Sequence, residues 1–207
     1  MILVTKQQPM DYRMDGLFDS IPGSELMGDN VRHKLKACGK GVKIFPLAKI
    51  CKPEVVEFGD HCRIHDFVFV WGGQGVRLGK YCDLQVHAAI WGGGLLEVGD
   101  YVSIGLGSVL LTAVYSHKEG LRMVDGLPEG YTKTNLGKLV MENDVYLGAH
   151  CTVMPDVTIG EGAVIGAHSF VNKDVEPWSI CVGSPCRKIG ERPRIPASLV
   201  PGTDRRD

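Results

Sequence analysis

The chain of 207 residues is long enough for one core of ordinary size with short extensions, and too short for two comfortable ones. With 44% apolar and 23% charged residues it has the composition of a soluble globular protein, which excludes a wholly disordered or membrane-embedded chain. Its 23 basic and 24 acidic residues leave a formal net charge of −1, so no whole-molecule field recruits nucleic acid or anionic lipid, and neither is expected as a partner.

Residues 1–9 hold one Lys and a few apolar side chains but no apolar stretch of signal-peptide length, and nothing later approaches a membrane span. The seven Cys, at 38, 51, 62, 82, 151, 181 and 186, are odd in number and form no CxxC pair or metal-finger spacing. Both features predict a reduced, cytoplasmic protein. Residues 30–39 read as a short basic helix stopped by Gly39, and residues 1–40 as an amino-terminal extension that forms a cap.

From residue 41 the dominant signal is a repeat of six. Every sixth position is apolar through Phe58, Ile64, Val70, then Leu78, Leu84, Ile90, then Val98, Ile104, Leu110, and again through Met141, Leu147, Val153, Ile159, Ile165, Val171. Four residues after these the side chain is small or Val, as at Cys62, Cys82, Ala88, Ser108, Cys151, Ala163 and Ser169. A helix repeats every 3.6 residues and a strand every 2, so neither explains a strict six. Three hexapeptides folded as short strands make one turn of a parallel β-helix, with one apolar and one small side chain per side stacked on the next turn. The fold class expected is therefore all-β, a solenoid spanning residues 41–189.

Two departures from the period stand out. Gly59, Gly79 and Gly99 are spaced by twenty, so the early turns carry two extra residues at a corner, occupied by Trp71-Gly72-Gly73 and Trp91-Gly92-Gly93. The phase is then lost after Leu110 and recovered at Met141, leaving residues 112–138 as an excursion; long unpatterned loops in compact folds are usually functional. Beyond Ile189 the prolines and charges of residues 190–207 read as a tail.

Residues 145–177, Val-Tyr-Leu-Gly-Ala-His-Cys-Thr-Val-Met-Pro-Asp-Val-Thr-Ile-Gly-Glu-Gly-Ala-Val-Ile-Gly-Ala-His-Ser-Phe-Val-Asn-Lys-Asp-Val-Glu-Pro, are followed at 183–189 by Gly-Ser-Pro-Cys-Arg-Lys-Ile. This run resembles the hexapeptide-repeat acyltransferases, especially the maltose- and galactoside-type sugar O-acetyltransferases and their relatives in polysaccharide synthesis. The resemblance covers residues 55–189, while the amino-terminal helical region of the maltose and galactoside enzymes has no counterpart. It implies a left-handed winding, a homotrimer, and acetyl-CoA as co-substrate in a groove between subunits.

Acyl transfer from a thioester needs a base for the acceptor proton and donors for the developing oxyanion. The resemblance puts that base at His117, in Tyr115-Ser116-His117-Lys118 at the start of the excursion. Carried over position by position, coenzyme A contacts fall on Ala149, Ala167, Asn172, Lys173 and Arg187, the two Ala offering backbone groups and the cations meeting phosphates. In the acceptor pocket an Asn of the galactoside enzyme is replaced by Gln85 and an acidic contact by Gly93, which implies a different acceptor. Gln85, His87 and Trp91 are the candidate acceptor contacts, with Trp91 available to stack on a sugar ring or to form a ridge with Trp71.

The activity implied is O-acetylation of a sugar hydroxyl, with amino-sugar N-acetylation on a sugar nucleotide as the near alternative. A second hexapeptide family, the γ-class carbonic anhydrases, binds zinc through three His at an interface. Here His61 and His65 are four apart, and His150 and His168 lie one coil apart, but the latter pair occupies acyltransferase-motif positions, so no metal is expected. A β-helix serving only as scaffold has no need for the His117 loop together with Lys173 and Arg187.

Overall fold

The structure, a computed structural model, describes residues 23–196 and Leu199. The chain winds as a left-handed parallel β-helix with three faces. The first face stacks Ala37–Cys38, Val56–Phe58, Gly75–Leu78, Leu95–Val98, Lys138–Met141 and Thr158–Ile159. The second runs through Lys43–Ile44, Arg63–Ile64, Asp83–Leu84, Ser103–Ile104, Tyr146–Leu147, Val164–Ile165 and Ser179–Val182. The third comprises Lys49–Cys51, Phe69–Trp71, Ala89–Trp91, Val109–Leu111, Thr152–Val153 and Phe170–Val171.

The hexapeptide phase reports side-chain direction. All fifteen apolar positions of the repeat are buried, none more than 4% exposed, and the small positions between them line the same interior. Small residues are needed because three strands converge on a narrow axis. Cys62 and Cys82 donate their thiols to the Gly79 and Gly99 carbonyls, at 3.0 and 3.1 Å, and Ser108 Oγ donates to the Gly148 carbonyl at 2.8 Å while accepting from Cys151 N at 3.0 Å. The register advances by twenty residues from Val56 to Val76 to Leu96, and by eighteen from Met141 to Ile159. The two extra residues sit at the Trp-Gly-Gly corners, where Gly73 and Gly92 have φ of +56° and +127°.

The corners are built from left-handed residues stacked in columns. One runs through Gly41, His61, Tyr81, Tyr101, Asp144, Gly162 and Trp178, the other through Phe67, His87, Gly107, His150 and His168, all with φ between +55° and +67°. A non-glycine residue there costs about 1–2 kcal/mol. Each such N–H is turned to the carbonyl of the preceding turn, as from His61 to Lys40 at 2.7 Å and from Tyr101 to Lys80 at 2.8 Å, and the rings stack, Tyr81 on Tyr101 at 5.4 Å. Asp60, Asp66, Asp100, Asn143, Asp156 and Asp174 add a side-chain oxygen that accepts an N–H from the turn beside them.

The amino-terminal helix differs from the expectation. It is a 3-10 helix over Gly28–Lys34, and Ala37–Cys38 is already a strand, paired to Glu57 and Phe58. Arg32 holds the helix to the coil by donating to the Val42 carbonyl at 2.8 Å. A two-residue strand is too short for a six-residue period to register. The carboxyl side also differs: Arg187–Glu191 pairs antiparallel with Ser179–Val182, and Arg192 Nη1 donates to the Asp144 and Gly162 carbonyls at 2.7 and 3.2 Å. Arg192 and Arg194 both lie over the Trp178 ring. The prolines there end the repeat without preventing packing. The expectations for residues 1–22, and for most of the chain beyond residue 196, lie outside the described residues.

Candidate active site

The three faces differ in what they show to solvent. The first carries alternating charge, with Lys36 and Arg77 flanking Glu57 at 2.8 and 3.5 Å and Lys138 paired to Glu97 at 2.7 Å. The third is apolar over its middle turns in two columns, Phe69, Ala89 and Val109 in one, flanked by Lys49 and Thr152, and Trp71, Trp91 and Leu111 in the other. Trp71 and Trp91 are 37% and 51% exposed, with ring centroids 5.8 Å apart. The candidate residues border this third face, adjoin its last strand or stand on the excursion that leaves it.

One edge is the corner that enters the face. Gln85 and His87 lie there, with Ala149 and Ala167 on later turns of the same corner. Gln85 is engaged within the coil, its Oε1 accepting from Leu106 N at 3.2 Å, and His87 stacks on Phe67 at 4.9 Å. The Ala149 carbonyl accepts from His168 N at 2.9 Å, whereas the amide N–H of Ala149 and of Ala167 has no acceptor among the described residues. Two successive turns thus present unpaired backbone donors, which fits the role of holding carbonyl or phosphate oxygens.

The opposite edge is the corner that leaves the face. Trp91 lies there, and Asn172 and Lys173, both exposed, follow the last strand Phe170–Val171. Arg187 lies instead at the first edge: it opens the antiparallel strand of the second face, paired with Val182, and the preceding Cys186 N–H bonds the Phe170 carbonyl at 2.8 Å. Neither Lys173 nor Arg187 has a carboxylate partner among the described residues, so both charges are available to an anion; Arg187 Nη1 donates only to the Cys186 carbonyl.

The excursion leaves from this second edge. It is an antiparallel ribbon, Ala113–Tyr115 against Thr134–Leu136, rooted where Thr112 N bonds the Trp91 carbonyl at 2.9 Å and Lys138 N bonds Asp156 Oδ1 at 3.0 Å. Just beyond the ribbon, His117 is exposed in a tight turn. Ser116 before it is buried: its N–H bonds the Lys133 carbonyl at 2.8 Å and its hydroxyl donates to Glu119 Oε2. Lys133 Nζ meets the other oxygen of Glu119 at 2.7 Å and holds that carboxyl below the usual range. The Tyr115 hydroxyl donates to Asp125, which pushes its pKa up. Sequence reasoning missed Ser116, Glu119 and Lys133; the one local signal was Ser116 and Glu119 at a spacing of three, the pattern of a hydroxyl and carboxylate closing a turn.

The four His weighed as zinc ligands are placed apart in function. His61 stacks on Tyr81 at 4.9 Å, His65 Nε2 pairs with Asp83 Oδ1 at 2.9 Å, and His150 and His168 stack face to face at 5.2 Å. Among the described residues no three His, Cys, Asp or Glu side chains are grouped to hold a metal ion. No helix among them is long and apolar enough to cross a membrane.

Comparison with known proteins fits this geometry. Residues 139–173, where the coil resumes after the excursion, match the bacterial transferase hexapeptide family (six repeats). AntD, an N-acyltransferase from Bacillus cereus solved in complex with dTDP and 3-hydroxybutyryl-CoA, has 32% sequence identity and a TM-score of 0.74 over 79% of this chain and 87% of its own. A variant of AntD has been solved with dTDP-4-amino-4,6-dideoxyglucose and coenzyme A. The chloramphenicol acetyltransferase of Klebsiella aerogenes is 52% identical over 56 residues, so the match spans 27% of the length of that curated relative. A parallel left-handed coil with this motif, alike over most of its length to a solved acyltransferase, makes the chain a member of the hexapeptide-repeat transferase family.

Proposed function

We propose that the protein transfers an acetyl group from acetyl-CoA to a sugar, with His117 as general base. The observation that carries this reading is the arrangement around the third face: the ribbon that bears His117 is rooted at the edge where Lys173 lies, while Arg187 and the free amide donors line the other edge. In this arrangement the neutral His117 imidazole takes the acceptor's proton as the acceptor atom attacks the thioester carbonyl. The C–S bond breaks, the acetyl group stays on the acceptor, and the imidazolium returns the proton to the departing thiolate. Lys173 and Arg187 hold phosphates of the donor, and the Ala149 and Ala167 amides hold the rest of its chain.

The apolar third face supports a homotrimer, because burying Phe69, Trp71 and Trp91 against a neighbouring copy would close the groove along both edges. A reducing compartment such as the cytoplasm suits seven unpaired Cys. The sequence resemblance favours a saccharide hydroxyl as acceptor. The likeness to AntD favours a second acceptor, the amine of a nucleotide-linked amino sugar.

The test is turnover of His117→Ala by thiol release, beside a thermal shift with coenzyme A. Turnover is expected to fall about 100-fold or more with the shift retained; near-normal turnover overturns the assignment of the base. Matched amino-sugar and hydroxyl-only acceptors then separate the two acceptor chemistries.

A further inference from the structure

The His117 turn is exposed and lies outside the coil, so its geometry has to be fixed by something other than the hexapeptide ladder. The fixing groups come from both limbs of the excursion. Ser116 stands on the outgoing limb and Lys133 on the returning one, and Glu119 lies three residues beyond Ser116. The Glu119 carboxylate uses one oxygen for each limb: Oε2 accepts from the buried Ser116 hydroxyl and Oε1 from Lys133 Nζ at 2.7 Å. The backbone bond from Ser116 N to the Lys133 carbonyl closes the same junction at 2.8 Å. His117 therefore sits in a four-residue turn whose two ends are pinned to each other and to the opposite limb.

We propose that Glu119 is a positioning residue for the reaction, clasping Ser116 to Lys133 so that the intervening turn presents His117 at a fixed place at the end of the ribbon. This rests on the reading of His117 as the base. The chemistry asks for this residue type. Only a carboxylate offers two charged acceptor oxygens, and the glutamate side chain reaches both donors from its place in the turn. A glutamine has one neutral acceptor oxygen and cannot give each donor its own charged oxygen. An alanine leaves the buried Ser116 hydroxyl without its acceptor and frees Lys133, and a base displaced by an ångström can cost about 100-fold in rate. The role is positional because both carboxylate oxygens are taken up by the two donors of the clasp.

The experiment compares Glu119→Ala, Glu119→Gln and Ser116→Ala in the full chain, alone and in a His117→Ala background. The expected result is a fall in kcat of about 10–100-fold for Glu119→Ala and Ser116→Ala, less for Glu119→Gln, with the KM for acetyl-CoA and the coenzyme A thermal shift unchanged. In the His117→Ala background Glu119→Ala should change the residual rate less than about twofold, because a group that acts through His117 has nothing left to position. Wild-type kcat in Glu119→Ala, or an equal further loss on top of His117→Ala, overturns the proposal.

Tryptic cleavage after Lys118, followed by fragment mass, reads the clasp without activity. It should be several-fold faster in Ser116→Ala, which keeps Glu119 next to the cleaved bond, and an unchanged rate means that the clasp does not hold the turn. If His117→Ala alone keeps its turnover, the base assignment and the positioning role fall together, while the cleavage rate still decides whether the clasp exists.

Discussion

Gly94 and Gly137 face each other so closely that a Cβ on Gly94 would stand 2.1 Å from the Gly137 carbonyl oxygen. Gly94 ends the Trp-Gly-Gly corner and Gly137 ends the returning limb of the ribbon, so this approach seats the excursion on the coil. A Cβ would also meet the Thr112 carbonyl at 2.3 Å, on the outgoing limb. Gly94→Ala is therefore expected to displace both roots at once, costing about 1–3 kcal/mol in stability and lowering kcat more than donor binding. Thermal unfolding and a kcat against KM comparison check this; wild-type values for both would mean that the roots can shift freely.

Ser108 replaces the apolar or thiol side chain found at many interior small positions, and both its hydrogen-bonding roles are filled by backbone. Ser108→Ala leaves the Gly148 carbonyl without that donor and the Cys151 N–H without an acceptor inside the coil. The expected loss is about 1–3 kcal/mol. For a chain of this size it would appear as a fall in Tm of a few degrees or more.

Asp144 occupies a left-handed corner at φ +60° and is half-buried; burial pushes its carboxyl up, more than the Arg192 guanidinium draws it down. A carboxyl whose folded pKa is raised binds its proton more readily when folded, so its contribution is most favourable at acid pH and is lost as pH rises through that raised value. Asp144→Asn keeps a residue suited to φ > 0 and removes the ionised form. Its Tm should exceed that of the parent at neutral pH, with the gap closing as pH falls into the carboxylate range. A lower Tm for the variant at neutral pH would show that the Arg192 attraction dominates.

Lys173 and Arg187 have no carboxylate partner among the described residues, and removing either should leave the fold unchanged. A lost charge-assisted bond to phosphate is worth about 1.5–3 kcal/mol. Lys173→Ala and Arg187→Ala are each expected to weaken coenzyme A binding about 10–100-fold by calorimetry, more at low salt than at high. Equal affinity for parent and variants would place the phosphates elsewhere.

The coil was legible because its physics is periodic. A side chain every six residues must enter a narrow interior, and Phe58, Leu84 and Val171 record that constraint in order. The excursion was legible as a gap in the same record. What the gap contained was not, since the ribbon from Ala113 to Leu136 is held by its own hydrogen bonds and by Glu119, with no periodic burial to write a pattern. The packing of Arg192 and Arg194 on Trp178 was hidden for a related reason: two cations over one ring leave no spacing rule in a proline-rich segment. The backbone groups of Ala149 and Ala167 were named through the family resemblance alone, since their side chains carry no signal that the amides are unpaired.

A stack of parallel strands is by nature open-ended, each turn offering its unpaired N–H and C=O groups to another turn of the same kind. Here the final parallel strand, Ser179–Val182, is met by a strand running the other way, Arg187–Glu191, whose outward side chains include Arg187, Lys188 and Glu191. A parallel turn from a second molecule would find that growth point already taken by a charged strand of opposite direction on this face. The reversal that ends the repeat therefore also acts against fibre growth, and keeps the coil a particle of fixed length.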